Sequence, residues 1–135
     1  MFAIKIVPTS LYDFDDTDAK VMDNKFNHNT LSKDDVDALK FVASHGINYF
    51  GEFVYGKCLY HGVHCKINKE KAFQCFDECS SKGNASAQMA LYFYYDTEGI
   101  MDKAKKCLDR AIELEPVHKE QFLKFIEENS TVGKA

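Results

Sequence analysis

Two cysteines and two histidines fall within eight residues, as Cys58, His61, His64 and Cys65 in the spacing C-x2-H-x2-H-C, and Cys75 and Cys79 follow. Residues of these types at this density could hold zinc, which takes four nitrogen or sulfur ligands converging as a tetrahedron. Paired thiols could instead carry redox chemistry if a neighbouring charge held them as thiolates. The weightier reading is plainer. Cys75 and Cys79 share a helical stripe with Ala72 and Phe76, where a buried cysteine behaves as a small apolar side chain. Ordinary reduced thiols and loop histidines are therefore expected, with no metal and no cofactor. A thiol-redox or metal-binding helical protein is the alternative. Other catalytic signatures are missing from the sequence: it has no nucleophile elbow, phosphate-cradling glycine loop, HExxH or calcium loop. The acids of DFDDTD lack the ligand spacing that calcium requires. No enzymatic activity is expected, because nothing sets an acid, a base and a nucleophile side by side.

The chain that must position these residues has 135 of them, a length that favours a single domain over 1–135 with a core needing neither disulfide nor metal. Its net charge of −4 argues against nucleic acid as the main partner, since phosphate contacts need clustered Lys and Arg. Residues 1–35 carry seven Asp against four Lys. The irregular acidic segment over 1–31 reads as a solvated face, one that could also steer a basic partner. The opening MFAIKIV is too short for the apolar core of a signal peptide. The longest apolar run, Met89 to Tyr95, is far below a membrane span. A cytoplasmic chain without membrane association is expected, and an odd number of cysteines, five, fits reduced thiols there.

Residues 2–7, FAIKIV, suit a short strand or an extended arm, ended by Pro8. Spaced apolar residues suggest an irregular helix over 16–26. Ser32, with Asp35 three residues on, has the pattern of a helix N-cap, and Gly46 that of a left-handed stop, so a helix is predicted over 32–45. Apolar stripes predict further helices over 47–60, 69–81, 84–97, 101–114 and 116–128, with Gly62, Gly83 and Gly99 between them and Pro116 opening the last. Residues 84–97 are apolar nearly all round, as in a helix sandwiched between neighbours.

These helices repeat. Ala72, Cys75, Phe76 and Cys79 superimpose on Ala104, Cys107, Leu108 and Ala111 at an offset of 32, and Gly51 and Val54 on Ala87 and Ala90 at an offset of 36. The second turn should therefore be four residues shorter than the first. A fainter copy precedes them, Ala38, Leu39, Val42 and Gly46 matching Cys75, Phe76, Cys79 and Gly83 at an offset of 37. Helix pairs at this period bury their apolar faces by stacking on one another. The expected fold is all-α, six or seven helices in antiparallel pairs stacked as a short right-handed α-solenoid. Gly51, Ala72, Ala87, Ala90 and Ala104 would let those helices approach closely.

Counted from Gly56, the spacing of Gly62, Lys71-Ala72 and Gly83, with Ala85, Ala87 and Gln88 beyond, resembles the Sel-one-like repeat family, relatives of the tetratricopeptide repeats. One unit over 51–86 matches well, a shortened one over 87–116 drifts toward the tetratricopeptide style, a partial repeat over 32–50 leads in, and 117–135 would be a capping helix and tail. His64 and Cys65 stand where the pattern has a turn glycine and valine, and Tyr92 where it has a helix glycine.

The resemblance implies a non-enzymatic module that binds a protein, with the first helix of each pair lining a concave face. Those helices carry Tyr49, Phe50, Phe53, Tyr55, Tyr60, Tyr92, Phe93, Tyr94 and Tyr95, more rings than one helix face can bury, so some should be exposed as interface anchors. Tyr55, Tyr92 and Tyr95, with Glu52 and Gln88, are the expected partner-binding residues. Lys57 and Asn84 are the sole candidates for a clamp on a peptide carboxylate, which argues against a reader of C-terminal peptides. Size and acidity suggest one concrete form, a small acidic inhibitor or immunity protein that neutralises a basic toxin.

Overall fold

Short polar side chains start most of the helices. Asp15 and Asp18 cap one another's backbone N–H groups to open α1 (Asp16–Asn27), and Ser32 and Asp35 do the same for α2 (Lys33–Ser44). Asn48, Asn68 and Asn84 each accept from the N–H three residues on, opening α3 (Tyr49–His61), α4 (Lys69–Cys79) and α5 (Ala85–Thr97). Each cap satisfies a donor that has no partner inside its helix. Then α6 (Met101–Leu114) begins without a side-chain cap, and a single 3-10 turn, Pro116–His118, leads into α7 (Lys119–Asn129). The computed structural model describes residues 11–129; the expected arm at 2–7 and the tail from 130 lie outside them. Among the described residues the protein is all-α, with seven α-helices and no strand.

Left-handed backbone ends three of the turns, at Gly46, Gly62 and Gly99, with φ of +61, +73 and +77°. Gly83 departs from the expected role. The helix before it stops at Cys79, and Gly83 is buried without a positive φ, its carbonyl accepting from the Gln88 amide at 3.4 Å. Residues 62–68 join α3 to α4 and residues 98–100 join α5 to α6, seven against three, the four-residue difference that the two repeat offsets predict.

The chain divides into two compact units, one through Ser81 and one from Lys82. In the first, α1, α2 and α4 all pack on α3, and nine of its thirteen residues are buried. Close approach needs glycine at two points on α3. A Cβ at Gly51 would lie 2.8 Å from Val42 and 2.9 Å from Phe14, and one at Gly56 only 2.7 Å from the Phe76 ring. Around Phe76 the rings of Phe50, Phe53, Phe73 and Tyr60 touch in a chain, with centroids 5.4–6.3 Å apart. Such edge and tilted contacts add to the burial of the rings themselves.

In the second unit α5 packs on α6. Ala85, Met89 and Ala111 form its buried centre, covered by Phe93, Leu108, Phe122 and Ile126. The stripe that repeats at an offset of 32 is buried on both helices, as Ala72, Cys75, Phe76 and Cys79 on α4 and as Ala104, Cys107 and Ala111 on α6. By contrast α7 contributes no buried residue.

Candidate functional site

The cysteine and histidine cluster does not converge. Cys58 is fully buried on α3, while Cys65 points its thiol at the Cys58 carbonyl, 3.5 Å away. The His61 ring lies against Phe26 and Tyr60. His64, standing where the repeat pattern has glycine, takes the left-handed φ of +54°, and its Nε2 lies 2.8 Å from the Leu31 carbonyl. That bond holds a strained turn residue in place. Among the described residues no three of His, Cys, Asp or Glu come together as metal ligands, and Cys58, Cys65, Cys75, Cys79 and Cys107 are all free thiols. Burial above all pushes Cys58 and Cys75 up to about 12, with Cys65 and Glu52 respectively adding to it, and Cys79 is pushed up as well. Thiols held protonated in this way are poor nucleophiles.

Lys57 sits in the least expected environment. Its side chain is buried, its ammonium pairs with Asp23 of α1, and it lies over the rings of Phe26 and Phe53, 4.5 and 4.9 Å from their centroids. A buried ammonium needs such compensation, here from one carboxylate and two aromatic faces. Neither candidate for a carboxylate clamp is available for that work, since Lys57 is committed to Asp23 and Asn84 to capping α5. The acidity of residues 1–35 is likewise used internally. Asp15 and Asp18 cap α1, Asp16 accepts from the Asn48 side chain at 2.9 Å, Asp23 holds Lys57 and Asp35 caps α2, so five of its seven aspartates have structural partners.

The expected aromatic surface is corrected in one respect. Tyr55, Tyr92 and Tyr95 are only 5, 6 and 1% exposed, and Gln88 is wholly buried. None of the nine rings counted on α3 and α5 is exposed. The reason is that α3 is packed by three helices and α5 buries eight of its thirteen residues. A helix buried around most of its girth has room for more rings than a single face would allow. The exposed large apolar side chains lie elsewhere: Tyr12, Val21 and Ile67 in the first unit, and Val117, Leu123 and Phe125 among those in the second.

Glu52 and Tyr55 do meet, in a hollow of about 170 Å³ on the first unit. Ala43 and Ser44 of α2 bound it on one side, and Lys71, Gln74, Cys75 and Glu78 of α4 on the other. With 3.6 residues per turn, Glu52 and Tyr55 project from the side of α3 away from Lys57, which faces α1. Gln88, Tyr92 and Tyr95 share α5 in the second unit. The hollow was not legible in the sequence, because Ser44, Gln74 and Glu78 lie on two helices whose register only the packing sets.

The fold is thus an all-α one of repeated helix pairs. No family model, characterised protein or solved structure matches the chain. Among the described residues no helix is long and apolar enough to cross a membrane.

Proposed function

We propose that this chain is a non-enzymatic, cytoplasmic protein-binding module, built of helix pairs in the manner of Sel-one-like repeats. The observation that carries the reading is the hollow on the first unit, where Glu52 and Tyr55 are framed by α2 and α4. At about 170 Å³ it is smaller than the roughly 300–1,000 Å³ of small-molecule sites, and its scale is that of one side chain of a docking protein. The thiol alternative loses ground, since the thiols of Cys58, Cys75 and Cys79 are buried and held protonated. In its most specific form the module is a small acidic inhibitor of a basic protein.

Affinity capture with the full chain as bait, followed by reconstitution from purified components, tests the reading. A stoichiometric complex with one protein is expected. Capture of chaperones alone, with no reconstituted complex, would overturn it.

A further inference from the structure

We propose that α7 is a self-association face, on which a second copy of this chain lays its own α7 across a twofold axis at Leu123. The first helices of the two pairs, α3 and α5, bury nine and eight of their thirteen residues, whereas α7 buries none of its eleven. Each pair in such a stack is covered by the next, and a last helix that leaves apolar side chains in water lacks that cover. Here Val117, Leu123 and Phe125 are 87, 43 and 50% exposed. Phe122 and Ile126 turn onto the core of the second unit, and Phe125 leans on Phe93, with ring centroids 5.4 Å apart. Leu123 stands on the opposite flank, about 160° round the helix from Phe125.

Charge says what fits that flank. Lys119, Leu123 and Glu127 fall at i, i+4 and i+8, all exposed, and form one ridge of α7. The side chains of Lys119 and Glu127 form no ion pair or hydrogen bond among the described residues. They lie about 12 Å apart along the helix axis, too far to neutralise one another. Reversed about Leu123, a second copy brings its Glu127 to Lys119 and its Lys119 to Glu127. The ridge is thus its own complement, as a twofold contact requires. Two such ridges run side by side when the helices cross at about 50°, the commonest class of helix packing. Ile126 then meets its own copy beside Leu123, and Glu120 falls at the rim, where water and salt screen it from its mate.

A contact of one helix on one helix is smaller than the roughly 1,200–2,000 Å² of a stable interface, so the dimer should be weak, with a dissociation constant on the order of 100 μM. Sedimentation equilibrium of the full chain over about 10–1,000 μM reads it, with dimer and nothing larger expected to predominate at the upper end. Lys119→Glu and Glu127→Lys should each weaken the dimer at least about tenfold, since each puts two like-charge contacts in place of two attractive ones. Mixing these two variants in equal amounts, or joining both changes in one chain, should restore it, because every reversed charge then faces its opposite. Leu123→Asp should abolish the dimer, and the circular dichroism of all variants should match that of the parent. A monomer at every concentration, a dimer indifferent to either charge reversal or to Leu123→Asp, or a mixture that stays monomeric would overturn the proposal. Each of those outcomes leaves the partner-binding reading of the first unit standing.

Discussion

Replacing Asp23 with asparagine should destabilise the first unit more than replacing Lys57 with methionine, although both changes break the same ion pair. The Lys57 side chain is 7% exposed and that of Asp23 26%. In Asp23→Asn the ammonium stays buried without its counter-ion, held only by the faces of Phe26 and Phe53. Removing one partner of a buried pair costs about 3–5 kcal/mol. The partial exposure of Asp23 and a remaining cation–π attraction of about 1 kcal/mol reduce that to about 2 kcal/mol. In Lys57→Met an apolar chain of similar length fills the space between the two rings, and the orphaned carboxylate reaches water, so the loss should be about 1 kcal/mol or less. Urea unfolding at neutral pH, followed by far-ultraviolet circular dichroism, reads the difference. With a slope of about 2 kcal/mol per molar urea, the asparagine variant should lose about 1 M in midpoint and the methionine variant less than about half of that. Equal losses, or a larger loss for Lys57→Met, would refute the reasoning that the cost lies in stranding the ammonium.

Gly56→Ala places a methyl 2.7 Å from the Phe76 ring. The overpacking cost of about 1–3 kcal/mol outweighs a gain of about 1 kcal/mol in helix propensity, so the variant should melt lower, and a higher melting temperature would contradict the packing described. With Cys58 and Cys75 pushed up to about 12 and Cys79 also raised, a disulfide reagent at pH 8 should modify the half-buried Cys65 first and the buried thiols only on unfolding. Rapid loss of all five thiols would count against the burial. Burial raises the Asp35 carboxyl, but the backbone N–H and hydroxyl of Ser32 and the nearby Lys25 together hold it below its ordinary value of 3.8. Its folded pKa is depressed, so its stabilisation is present above 3.8 and is lost as pH falls through the lower folded value. Asp35→Asn should therefore cost stability at pH 7, and the difference from the parent should narrow in acid unfolding curves. A difference that widens on acidification would overturn that sign.

Much of the fold was legible in the sequence because the helix signals are local. Ser32 and Asp35 mark a start, Gly46, Gly62 and Gly99 mark stops, and the stripe of Ala72, Cys75, Phe76 and Cys79 returns on α6. Even the four-residue difference between the two turns follows from counting offsets. What sequence could not supply depends on distance between elements. Asp23 and Lys57 are 34 positions apart, and nothing local says that they meet. The number of helices packed on α3 decides that Tyr55 is buried rather than displayed. Gly83 misled because glycine serves close packing as well as left-handed turns, and here it is buried without a positive φ.

Native mass spectrometry of the chain, isolated gently from cells that make it, tests the central claim most directly. The account predicts a discrete species equal to the chain plus one protein, dissociating to a chain of unmodified mass. A species equal to the chain plus a metal ion or a small molecule, with no protein complex, would contradict it.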